Sequence, residues 1–279
     1  PASIYTLSAL NQLSISGCKL VGPVGDLYSA NMPSLETVAL EENSFTGTIP
    51  VGIFDLINLA RLSLDGNNFV GTIPFVDIVS TRLSVLTLSN NKLTGTIPSI
   101  LYAAVSLEAL DLSSNVLIGE LSANVATLVK LHTLSVGSNN LQGTIPVELT
   151  TMTQLSYSLG LDSNQFSGTI PTAISGLTNL QNLYLDGNQF VGPLPVELFT
   201  TTHLVSLSLS NNKLSGGLPT DISSPQLLFV YLSNNLLTGV IPTAIGEWTQ
   251  LHELYINGNT ISGAIPSELY KLTTFLTEK

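Results

Sequence analysis

The stretch "SNNKLTGTIPSIL" occupies Ser89 to Leu101, and nearly the same phrase returns as "GSNNLQGTIPVEL" from Gly137 and "DSNQFSGTIPTAI" from Asp162. Self-similarity at a fixed period changes the meaning of every residue inside the period, so it is read before any local pattern. Aligned on the asparagine, the units start at Leu10, Leu35, Leu59, Leu83, Leu107, Leu131, Leu155, Leu180, Leu204, Leu227 and Leu251, with a spacing that is almost always 24 residues. The shared pattern is L-x-x-L-x-L-x-x-N-x-L-x-G-x-I-P. The unit from Leu83 fills every fixed position, with Leu83, Leu86, Leu88, Asn91, Leu93, Gly95, Ile97 and Pro98.

Each fixed position has a physical reason. The L-x-L step has period 2, so Leu86 and Leu88 point to one face of a short strand while Val85, Thr87 and Ser89 point to the other. One unit cannot bury that leucine face alone. Units stacked at about 4.8 Å per strand form a parallel sheet and pool their leucines into a continuous core. An asparagine after the strand pairs backbone groups left open where the chain turns. That column contains Asn43, Asn67, Asn91, Asn115, Asn139, Asn164, Asn188, Asn212, Asn235 and Asn259, with Cys18 in the same place in the first unit. Cys18 is the chain's one cysteine, and it is read as a buried structural thiol. The glycine permits positive φ, and the proline sends the chain into an extended or 3₁₀-like return.

Composition narrows the function. Of 279 residues, 44% are hydrophobic, so a large core is available. The formal charge is −11 with only 8 lysines and arginines, which disfavours nucleic acid and anionic membrane surfaces, since both require a basic footprint. A neutral or basic partner is expected. No run approaches the roughly 20 apolar residues of a membrane helix, and PASIYTLSAL lacks the basic start of a signal peptide. The sequence contains no HExxH, GxSxG, P-loop or CxxC. His132 and His252 lie five units apart, so they cannot share a metal. The reading is non-enzymatic, without cofactor or metal.

The G-x-I-P segment resembles that of the plant-type leucine-rich repeats found in receptor-like kinases, receptor-like proteins and polygalacturonase-inhibiting proteins, with protist and bacterial relatives also possible sources. The resemblance covers about Leu10 to Leu272. It implies an α/β repeat fold: a right-handed solenoid of about 11 repeats, with a parallel concave β-sheet and a 3₁₀ or irregular convex side. It also implies extracellular or cell-surface recognition of a protein, peptide or glycan. The expected organisation is a single repeat domain over residues 1–279, part of a longer chain. Two features depart from the plant pattern: the paired capping cysteines are missing, and no Asn-x-Ser/Thr sequon occurs anywhere.

The positions left free are those on the outer face of the L-x-L strands. Small residues fill most of the central column, from Ser14 and Ala39 to Gly160, and large aromatics enter only later. Tyr184, Phe229, Tyr231 and Tyr255 are therefore the candidate ligand-binding residues, with Asp162, Asp186 and Glu253 as an acidic rim. The competing explanation is that aromatics are good strand formers and stack across neighbouring strands. A second class of function comes from Thr48, Thr72, Thr96, Thr144 and Thr169, which share the x of G-x-I-P in a row interrupted by Glu120. Such a row suits an ice or crystalline polysaccharide lattice, or simply a second short strand. A third class is an adhesive or structural unit of an extracellular assembly. Irregular units stand out as well: one extra residue before Leu159 suggests a bulge near Tyr157 and Ser158, Ser122 replaces the proline, and the unit from Leu227 is one residue short.

Overall fold

The computed structural model describes residues 7–25, 32–74 and 82–272. It contains two compact units, Pro1–Leu141 and Gln142–Lys279. In the first, the L-x-L steps form the parallel strands Gln12–Ser14, Thr37–Ala39, Arg61–Ser63, Val85–Thr87, Ala109–Asp111 and Thr133–Ser135, paired in sequence order and in register. The period-2 argument sets their faces. Val38, Leu62, Leu86 and Leu134 are fully buried, while Gln12, Arg61 and Val85 point away from the core.

Within the same unit a second, four-stranded parallel sheet, Val21–Pro23, Ser44–Thr48, Asn68–Gly71 and Lys92–Leu93, follows the asparagines. The 3₁₀ turns Val51–Asp55, Ser99–Ala103 and Ala123–Thr127 carry the chain back. Pro50 and Pro98 precede the first two of these turns in extended conformation. Where Ser122 replaces proline, its hydroxyl accepts a hydrogen bond from the Asn124 amide at 3.2 Å and caps the turn instead.

The asparagines join one coil to the next. Asn139 Nδ2 donates to Leu112 O at 3.0 Å and to Val136 O and Gly137 O at 3.1 Å, and its Oδ1 accepts from the Leu117 amide at 2.9 Å. Asn67 and Asn91 repeat this pattern one coil at a time. Cys18 differs from its sequence reading: it is exposed, not buried. Among the described residues its coil has a neighbour on one side only, so nothing covers the thiol. Its amide still donates to Asn43 Oδ1 at 3.1 Å.

The glycine column is a close contact as well as a turn. Gly95 adopts φ +78°, and a Cβ there would lie 2.8 Å from the Thr72 γ-methyl. Thr48 meets Gly71 and Thr96 meets Gly119 in the same way. Each threonine methyl therefore occupies the notch left by the next coil's glycine.

The second unit repeats the plan with strands Ser158–Gly160, Asn182–Tyr184, Ser206–Ser208, Phe229–Tyr231 and Glu253–Tyr255, again parallel and in register. Leu159, Leu183, Leu207 and Val230 are fully buried beneath them. Phe166 and Phe190 replace leucine in the second core column and stack with centroids 6.5 Å apart. At the unit from Leu155 the extra residue alters the ladder. Elsewhere two successive amides share one carbonyl, as Val205 and Ser206 share Gln181 O, but Gln181 and Asn182 donate separately to Ser156 O and Tyr157 O. Tyr157 is left 62% exposed. The missing residue belongs to the unit from Leu204 and not, as the sequence reading had it, to the unit from Leu227: no 3₁₀ segment separates Lys213–Gly216 from Phe229–Tyr231, whereas the unit from Leu227 keeps its turn at Thr243–Glu247.

Candidate functional site

The outward faces of the two units differ in chemistry. In the first, short polar side chains satisfy one another. Asp65 Oδ1 accepts from the Ser89 amide and hydroxyl, both at 2.8 Å, and Asp65 Oδ2 accepts from the Thr87 hydroxyl. Asp111 Oδ1 likewise takes the Ser113 amide and hydroxyl. A face closed in this way leaves little for a ligand to pair.

The second unit presents aromatic rings. Strand register aligns Tyr184, Ser208, Tyr231 and Tyr255 in one row, and Asn182, Ser206, Phe229 and Glu253 in the row beside it. Residues two apart on a strand share a face, so Phe229 with Tyr231, and Glu253 with Tyr255, point outward together. The Tyr231 and Tyr255 rings stack with centroids 5.4 Å apart and planes inclined by 27°. The Tyr231 hydroxyl donates to Glu253 Oε2 over 2.7 Å. Burial pushes the Tyr231 phenol up to about 12, and the hydrogen bond and charge of Glu253 add to the effect. Tyr231 is thus neutral, while Tyr255 remains 49% exposed.

Four of the residues singled out in the sequence, Phe229, Tyr231, Glu253 and Tyr255, therefore form one group. Tyr184 lies two strands from Tyr231, across Ser208, which is buried between them at 8% exposure. Asp186 lies two residues beyond Tyr184, and its carbonyl accepts from the Ser163 amide at 2.7 Å. Asp162 lies one coil further on, its carbonyl taking the Asn164 side chain at 3.0 Å.

His252 extends the group without having been counted in it. Its ring lies 6.0 Å from Phe229 and its Nδ1 is 2.7 Å from Gln250 O. The signal was present in the unit spacing, which places His252 beside Leu228 and one position before Glu253, but the outward columns read from the sequence omitted that edge position. Among the described residues no group of three or more His, Cys, Asp or Glu side chains is placed to hold a metal ion. The arrangement offers flat apolar area, a fixed phenol and one carboxylate, which suits binding.

Six segments, 82–103, 130–152, 179–200, 203–225, 226–248 and 250–272, match the family model described as Leucine Rich Repeat. Among solved structures the chain is similar to the Arabidopsis receptor kinase HAESA, crystallised with the peptide hormone IDA and the co-receptor SERK1. The identity is 33% and the TM-score 0.89, over 98% of this chain and 46% of that one. It is similar also to a TDR receptor, at 28% identity and TM-score 0.91, over 98% of this chain and 47% of the other. A plant ice-binding protein matches at 26% identity and TM-score 0.75, over 91% of this chain and 82% of that one. The chain spans less than half the length of the two receptors. Comparison by sequence with curated proteins gives no match.

Proposed function

Because the chain belongs to the plant-type leucine-rich-repeat family, we propose that it is a non-enzymatic, extracellular recognition module that binds an extended peptide or protein segment on the concave face of its second unit. The observation that carries this reading is the contiguous aromatic group with its built-in carboxylate, Tyr231 stacked on Tyr255 and bonded to Glu253. Tyrosines fixed on a rigid sheet offer large contact area at low entropic cost. Glu253, Asp186 and the chain's net charge of −11 favour a basic segment. The HAESA neighbour, whose structure contains a peptide hormone, supports the peptide class.

The test is a selection from a displayed random-peptide library on the wild-type protein. Peptides enriched in basic and aromatic residues should emerge, and Tyr231→Ala with Tyr255→Ala should weaken them by about 2 kcal/mol or more, roughly thirtyfold in Kd. Ser14→Ala with Ser63→Ala should leave them unchanged. Equal affinity for both double variants would remove this face from consideration, and retention of a polysaccharide but no peptide would replace the ligand class.

A second reading rests on the threonine row. Thr48, Thr72 and Thr96 are exposed on successive coils of the first unit, and their methyls are held against Gly71, Gly95 and Gly119, which makes the row a rigid array. The match to a plant ice-binding protein over most of that protein's length supports lattice binding there. Thermal hysteresis or recrystallisation inhibition that Thr72→Tyr with Thr96→Tyr abolishes would establish it; a wild-type protein lacking both activities would end it.

A further inference from the structure

On the helical-turn side of the second unit, a cavity of about 260 Å³ lies between the turns Thr172–Gly176 and Val196–Phe199, lined by Ser175, Thr178, Glu197, Thr200, Thr201 and Thr202. None of these residues belongs to the aromatic group. Three of the hydroxyls have already committed their protons to the backbone. Ser175 donates to Thr172 O, Thr200 to Glu197 O and Thr201 to Leu198 O, each at 3.1 Å. A hydroxyl whose proton is engaged keeps only acceptor lone pairs. The one charged residue of the lining is Glu197, whose Oε2 is buried and has no hydrogen-bond partner. A buried acceptor left unpaired is costly and calls for an explanation. Three hydroxyl oxygens of the wall thus present themselves as acceptors beside a carboxylate.

We propose that this cavity binds a primary ammonium group, with Glu197 as counter-ion and the Ser175, Thr200 and Thr201 oxygens as acceptors. An ammonium carries three donors and no acceptor, the complement of such a wall. An anion is repelled by Glu197, and a sugar would bring its own acceptors against those already there. The volume falls below the roughly 300–1,000 Å³ of pockets that hold drug-sized ligands, so the occupant is a side chain or small amine. With a net charge of −11 the chain attracts cations from a distance. The lysine side chain of a protein partner is the source we favour.

The probes are n-butylammonium chloride and its neutral isostere n-butanol, added to ¹⁵N-labelled protein. Butylammonium should shift the Ser175, Thr200 and Thr201 amide resonances saturably, n-butanol should not, and Glu197→Gln should weaken the binding at least tenfold. A blocked Gly-Lys-Gly peptide binding as well as butylammonium identifies a protein lysine; spermidine binding more than tenfold better identifies a free polyamine. Equal shifts from n-butanol, or unchanged affinity in Glu197→Gln, would overturn the proposal. If Glu197→Gln does not fold, Thr201→Val, which removes one acceptor, carries the same test. The peptide selection on the sheet face is independent, since Glu197→Gln should leave it unaffected.

Discussion

Tyr231 and Tyr255 stand opposite one another on neighbouring parallel strands, rings 5.4 Å apart, and the Tyr231 hydroxyl is held by Glu253 from the strand that carries Tyr255. One strand therefore supplies both the ring that covers Tyr231 and the carboxylate that orients it. The consequence is measurable in the phenol's ionisation.

Tyr231 should ionise near 12, later than an ordinary tyrosine at about 10. The sign follows from linkage. Folded Tyr231 holds its proton where the unfolded chain has lost it, so its contribution to stability is present below about pH 10 and disappears as the pH rises towards 12. Ultraviolet titration of wild type against Tyr231→Phe isolates this phenol. Glu253→Gln should lower its midpoint only part of the way, because burial is the larger cause. A Tyr231 midpoint at the ordinary value would refute the geometry.

Asn139→Ala removes four hydrogen bonds that tie its coil to the preceding one and close its own turn. Backbone groups left unpaired in a buried place cost about 1 to 3 kcal/mol. Chemical denaturation should show a loss in that range. Asn124→Ala, where the side chain is exposed on a helical turn, should cost much less.

Gly95→Ala meets two penalties, a left-handed φ of +78° and a Cβ placed 2.8 Å from the Thr72 methyl. Residues held in such conformations cost of order 1–3 kcal/mol. Thr72→Ser removes the methyl, so the double variant should recover the steric part and keep the backbone part. A strictly additive double-mutant cycle would show that Thr72 and Gly95 do not interlock.

Trp248 is the only tryptophan of the chain. It is 3% exposed, with its ring 5.8 Å from that of Phe199. Its emission should be blue-shifted in the native protein and shift to the red when the second unit unfolds. Trp248 Nε1 has no hydrogen-bond partner, so Trp248→Phe should cost less than the about 3–5 kcal/mol of a Trp→Ala truncation in a core.

The fold was legible because a 24-residue period states the same physical problem again and again. Leu86 and Leu88 cannot be buried by their own coil, so only stacking satisfies the pattern, and the asparagine column marks where the backbone turns. The bulge before Leu159 could be read for the same reason, since an insertion in a strict period has nowhere else to go. Cys18 was misjudged because position in a column says nothing about whether a neighbouring coil covers it.

The sequence by itself determined the strands, their inward leucines, the asparagine column and the set of outward aromatics, since period and alternation are local properties of the chain. Tertiary structure alone decided which outward residues meet. Register brings Tyr231 onto Tyr255 and Glu253, leaves Tyr184 across a buried Ser208, and adds His252 through Phe229. It also decided where hydroxyl protons go, and so that the Ser175, Thr200 and Thr201 hydroxyls near Glu197 are left to accept. Hydrogen-bond direction depends on which carbonyl lies within reach of each hydroxyl, and no spacing in the sequence encodes that.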